Sequence, residues 1–226
     1  MKYLWNLFLS LKEIFIVMFL QYAILFLCLF TIGVDKSVIY GSILLMIFQV
    51  CYIIWKSSRD KRVWNSNFAI KIYFPYVLLG IGVAASYNMI IFRLGLGQEV
   101  NTDIPIILNI LCSGIIGPIF EEFLFRYDFI RRLEKFNNNK MMIIILSGVV
   151  FGLLHTGTIT VIYATIVGII NSYIYMKDKD IIKPIIMHMS GNILVSFLTG
   201  YNVVTLLLGV FLIIISYFII RCSREN

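Results

Sequence analysis

Eight apolar runs, each close to the length of a membrane-crossing helix, fill most of this sequence, at residues 14–34, 37–55, 72–92, 104–124, 141–157, 159–176, 181–199 and 203–220. A hydrocarbon core of about 30 Å is crossed by roughly 20 apolar residues in helical conformation, with about 17–25 tolerated. Lipid offers no hydrogen bonds, so such a chain must satisfy its backbone within its own helices. The predicted fold class is therefore all-α. It is a polytopic membrane protein of about eight transmembrane helices, forming one membrane domain over 1–226. Composition agrees: 60% of the residues are apolar and only 14% charged, too little polar surface for a water-facing particle of this size. The fifth and sixth runs are separated only by Thr156-Gly157-Thr158, which predicts a helical hairpin.

The formal charge is +7, and its distribution sets an orientation. Of the 19 Lys and Arg residues, only Lys36 and Arg93 fall in the odd-numbered joins. The even-numbered joins and the two ends carry the rest, which predicts both termini on the cytoplasmic side of the plasma (inner) membrane. The basic clusters are also expected to touch anionic lipid in the bilayer they border, and no basic stripe with interleaved aromatics points to nucleic acid. The first run is longer than a signal-peptide core and no small-x-small site follows it, so it is read as a retained helix. Cys28, Cys51, Cys112 and Cys222 share no metal-like or disulfide-like spacing. The polar interruption 57–67 is expected to be a loop or an interfacial helix anchored by Trp55 and Trp64. Gly41, Gly80, Gly82, Gly168 and Gly209 are read as points of close helix approach, and Gly117-Pro118 as a kink or restart in the fourth helix.

Ionisable residues are expensive inside a membrane, about 2.5–3.5 kcal/mol each on insertion scales, so their positions carry information. Glu121 and Glu122 lie in the fourth run, and the chain's two histidines, His155 and His188, fall in two others. Glu122 and Arg126 are four residues apart, the spacing of a pair on one helix face. Phe151 and His155, and His188 and Asn192, share faces in the same way. Adjacent Glu121 and Glu122 diverge by about 100° around the helix axis, so one can pair with Arg126 while the other points into a cavity. At 1.5 Å per residue, Glu121 lies roughly 16 Å from Arg132, His155 roughly 22 Å from Lys140, Asn192 roughly 18 Å from Asp180, and His188 roughly 12 Å by the same reckoning. All four can reach one polar cavity. Such a set suits hydrolysis: a carboxylate or imidazole takes a proton from water, and an imidazole and an amide steady the resulting oxyanion. Equally, Glu121, His155 and His188 could ligate a divalent metal such as zinc with a fourth position left open.

These residues resemble the CPBP family, the CAAX proteases and bacteriocin-processing enzymes also called Abi. Its E-E-x-x-x-R motif matches Glu121-Glu122-Phe123-Leu124-Phe125-Arg126, its F-x-x-x-H motif matches Phe151 through His155, and its H-x-x-x-N motif matches His188 through Asn192. The resemblance covers about 104–200, whereas 1–100 carries no matching motif. Tyr127 stands where the family often has glycine, a change expected to affect local packing more than chemistry. The resemblance implies an intramembrane peptidase acting on a peptide or membrane-protein substrate. Glu121 and His155 would activate water, His188 and Asn192 would hold the oxyanion, and Glu122 and Arg126 would keep the site in shape. The family is commonly labelled metalloprotease, which leaves the metal open. Two other functions compete. Bacterial members are associated with self-immunity, so a non-catalytic bacteriocin-immunity or adaptor protein is one. A proton-coupled transporter is the other, though the repeated halves with matching broken helices that such proteins show are missing from this sequence.

Overall fold

A computed structural model describes residues 2–60, 64, 69–96, 104–197 and 202–225. The described residues form helices and no strand. They are α1 (Lys2–Ile32), α2 (Val34–Arg59), α3 (Ile70–Arg93), α4 (Ile106–Leu133), α5 (Lys140–Leu153), α6 (Thr158–Asp178), α7 (Ile182–Phe197) and α8 (Val203–Glu225). Each corresponds to one predicted apolar run. Six are long and apolar enough to cross a membrane, whereas α5 and α7 have 14 and 16 residues and fall short of that length. The chain is a multi-pass membrane protein. Its outer surface is apolar, with Phe19, Phe30 and Leu207 largely exposed, while Glu122, Arg126, Ser147, Asn171, Ser172 and His188 are buried. That inversion is expected when the solvent is lipid.

Boundaries differ from the sequence reading in two places that matter for the site. Helix α4 continues to Leu133, so Arg126 and Asp128 lie within it rather than behind it. The α5–α6 hairpin turns over 154–157, and α5 ends at Leu153, so His155 sits in the turn. Gly157 takes φ of 82°, the left-handed region open to glycine, which lets the chain reverse there. At its other end α5 is capped by Asn139, whose side chain accepts from the Met142 N–H at 3.1 Å. Of the interruption 57–67, α2 takes the first part, most of the rest lies outside the described residues, and Trp64 packs its ring 5.3 Å from that of Phe123.

Helix ends assigned to one side of the membrane by charge do meet. Lys56 at the end of α2 pairs with Glu13 of α1 and lies 2.6 Å from Asp128 of α4. Arg132 also pairs with Glu13, and the Tyr52 hydroxyl donates to Asp128 at 2.8 Å. Tyr127 donates to Asp60 at 2.7 Å beneath the Arg131 guanidinium, so this departure from the family motif serves packing between α4 and the end of α2.

Helix α3 packs against α7 and α8, and α5 against α6. Small residues let the backbones approach. A Cβ at Gly82 would sit 2.7 Å from the Gly209 carbonyl oxygen, and one at Gly168 would sit 2.9 Å from the Gly148 Cα. Gly80 abuts the Met187 carbonyl in the same fashion, but Gly41 faces only the flexible tip of Leu25. Gly82→Leu is therefore expected to destabilise the protein by about 1–3 kcal/mol or more through overpacking, while Gly41→Ala is tolerated. Thermal unfolding midpoints in detergent check the contrast.

Candidate active site

Helix α4 departs from α-helical register twice, with π-helical turns at Ile110–Ile116 and Phe123–Ile130. The acidic pair ends the six-residue α-helical stretch between them, Gly117–Glu122. Such turns cost hydrogen-bond geometry and recur at functional sites. The two carboxylates separate as adjacent helical positions must. Glu122 is wholly buried, while the Glu121 side chain keeps 31% of its surface and faces a cavity.

Every polar neighbour of Glu122 comes from a different turn or helix. Arg126, one turn on, brings Nε to 2.9 Å from Oε2. Oε1 accepts from the Asn171 amide of α6 at 3.0 Å and contacts His188 Nδ1 of α7 at 2.9 Å. A carboxylate oxygen accepts, so Nδ1 carries the hydrogen and Nε2 is left towards the cavity, 3.7 Å from Glu121 Oε2. The Arg126 guanidinium also donates to the Gly168 carbonyl at 3.2 Å and lies 4.6 Å from the Phe151 ring centroid.

His155 is fixed by the helix end that precedes it. At the end of α5 the Phe151 carbonyl keeps only a long bond from the Leu154 N–H, 3.4 Å, and His155 Nδ1 stands 3.0 Å from the same oxygen. A carbonyl can only accept, so Nδ1 bears the hydrogen and Nε2 offers its lone pair. The Phe151 ring lies between the two imidazoles, with centroids 4.8 Å from His155 and 5.8 Å from His188. Asn192 donates from Nδ2 to the Ser113 carbonyl of α4 at 2.9 Å.

A cavity of about 460 Å³ is lined by Glu121, Phe151, His155, His188 and Asn192, with Gln49 of α2 on its wall. A second cavity of about 300 Å³ shares Gln49, Glu121, Phe151 and His155 with it. Four sequence-predicted groups thus share one space, and the other two, Glu122 and Arg126, support it from within the bundle. Sequence reasoning missed Asn171, Ser113 and Gln49. Asn171 and Gln49 were visible as polar residues deep in apolar runs, but nothing in the sequence said which way they face. Among the described residues, no three His, Cys, Asp or Glu side chains gather as a metal site requires. His155 Nδ1 is engaged with its own backbone. That leaves Nε2 as the His155 nitrogen facing outward from the helix end, the arrangement in which a metal-ligating histidine is commonly held.

Residues 103–194 match the model of the family described as type II CAAX prenyl endopeptidase Rce1-like. The chain is 28% identical over 182 residues to the membrane-embedded CAAX protease MroQ of Staphylococcus aureus (strain USA300), covering 71% of this chain and 74% of that one. It is 30% identical over 126 residues to the candidate membrane peptidase YdiL of Bacillus subtilis (strain 168), covering 53% of this chain and half (50%) of YdiL's length. A third relative, the UPF0177 protein YxdF of Lactococcus lactis subsp. lactis (strain IL1403), is 25% identical over 161 residues, 66% of this chain and 89% of its own. No solved structure matches the chain.

Breaking a buried ion pair by removing one partner costs about 3–5 kcal/mol, because the other charge stays buried alone. Arg126→Met is expected to lose that much stability, and Arg126→Met combined with Glu122→Leu to recover most of it. Unfolding midpoints of the two variants in detergent test the pairing.

Proposed function

We propose that this protein is an intramembrane endopeptidase that cleaves a peptide or a membrane-protein terminus with an activated water. The observation that carries the reading is the shared cavity, where Glu121, His155, His188 and Asn192 come together in a chain with only two histidines. Glu121, the carboxylate free to face that cavity, and His155, with Nε2 unprotonated, take a proton from water as its oxygen attacks the peptide carbonyl carbon. The Asn192 amide holds the oxyanion, joined by His188 in the imidazolium form, whose Nδ1 hydrogen stays on Glu122 while a second hydrogen on Nε2 faces the cavity. The C–N bond then breaks and the departing amine takes the proton back. Glu122, Arg126 and Asn171 touch none of these atoms; they set the His188 ring. In a metal-assisted version, Glu121 and the Nε2 atoms of His155 and His188 would hold zinc, with Nδ1 of the two imidazoles kept on the Phe151 carbonyl and on Glu122. Stoichiometric zinc in purified protein, lost in His188→Ala, would favour that version.

Glu121→Gln and His155→Ala are each expected to lower the cleavage rate by about 10²–10⁴-fold without loss of folded protein. Terminal proteomics of cells expressing the intact protein or the Glu121→Gln form supplies both substrate and readout. Identical sets of protein termini in the two would sink the reading. A protective phenotype that survives both substitutions at unchanged protein level would point instead to an immunity or adaptor role. Both termini are placed in the cytoplasm on the distribution of basic residues. A C-terminal alkaline phosphatase fusion is expected to be inactive and a fluorescent protein fusion bright.

A further inference from the structure

The first π-helical turn of α4 ends at a residue that cannot continue it. In that turn each N–H reaches back five residues, and Gly117 is the last to do so, donating to the Cys112 carbonyl. The next donor in the series would be residue 118, bonding to Ser113. Residue 118 is proline, which has no N–H. The α-helical donor for Ser113 would be Gly117, already engaged with Cys112. The Ser113 carbonyl therefore loses both of its helical partners, and a carbonyl left unpaired in a membrane interior is costly. It is taken by the Asn192 side chain of α7, whose Nδ2 donates to it at 2.9 Å. Glycine at 117 belongs to the same device, since a Cβ there would sit 2.8 Å from the Cys112 oxygen and push this turn apart.

We infer that Pro118 is a positioning residue for Asn192: by withholding a backbone hydrogen it frees the Ser113 carbonyl to fix the Asn192 amide at the wall of the cavity. A primary amide has two N–H groups. With one held by Ser113, the amide plane is set and the second is left for the cavity that Asn192 lines. An oxyanion donor contributes most when its direction is fixed before the reaction, and a freely rotating amide would lose that advantage. This inference rests on the peptidase reading above and deepens it, adding a residue that acts through Asn192.

The test uses full-length protein in proteoliposomes and a quenched-fluorescence peptide chosen from a mixture-based library as cleaved by the wild type and not by Glu121→Gln. Asn192→Ala is expected to lower kcat by about 10²-fold. Pro118→Ala, which restores the hydrogen, is expected to lower kcat by about 10-fold or more with KM within about 3-fold, as for a group acting on the transition state alone. In the Asn192→Ala background Pro118→Ala should add nothing, because its effect passes through Asn192. Pro118→lactic acid, introduced by nonsense suppression, has an ester oxygen in place of the N–H and should keep kcat near wild type. That last variant separates the missing hydrogen from any general loosening of the helix. Unchanged kcat in Pro118→Ala, losses that multiply in the double variant, or a lactic acid form as impaired as alanine would each overturn the inference. A wild type that cleaves no library peptide beyond Glu121→Gln is a different outcome: it removes the peptidase reading, and this inference with it.

Discussion

The Glu122 carboxylate, shut away from solvent between α4, α6 and α7, ties the motif-bearing helices to one another. Its two oxygens engage Arg126 in its own helix, Asn171 in α6 and His188 in α7. Arg126 in turn reaches the Gly168 carbonyl and covers Phe151 of α5. Four helices are thereby referred to one side chain. A charge placed so deep is stable only while its partners surround it. The same interaction holds a hydrogen on His188 Nδ1 and turns Nε2 towards the cavity, so support and chemistry meet at a single atom pair.

Around that centre the polar groups fall into two tiers. The inner tier holds Glu121, His155, His188 and Asn192 around the cavity. The outer tier joins helix ends through Glu13, Lys56, Asp128 and Arg132, with Tyr52 bridging Glu13 and Asp128. The outer tier binds the motif-free α1–α2 hairpin to α4, and through Gln49 that hairpin contributes a wall to the site. The N-terminal part of the chain is therefore part of the cavity's construction, although it carries none of the family's motifs.

Two irregularities in hydrogen bonding supply acceptors to the inner tier. The end of α5 gives the Phe151 carbonyl only a long bond from Leu154 N–H and leaves it open to His155, and the break before Pro118 leaves the Ser113 carbonyl for Asn192. In a medium without water, a backbone group missing its helical partner must be met by a side chain. An interrupted helix thereby becomes a fixed mount for a polar residue.

The sequence by itself determined the number and order of the helices, because bilayer thickness imposes a length that can be counted. It also marked Glu121, Glu122, Arg126, His155, His188 and Asn192, because a polar residue in an apolar run is too costly to be incidental. Helical spacing even divided the acidic pair into one supported and one cavity-facing carboxylate. Only the tertiary structure decided which helices meet, and so which nitrogen of each imidazole is engaged, that Asn171 completes the Glu122 shell and that Gln49 joins the site. Those facts depend on the rotation of each helix about its axis, which is set by packing such as that of Gly148 on Gly168 and of Gly82 on Gly209. Such contacts join residues far apart in the chain, and a hydrophobic pattern read along one helix carries no record of the helix it will face.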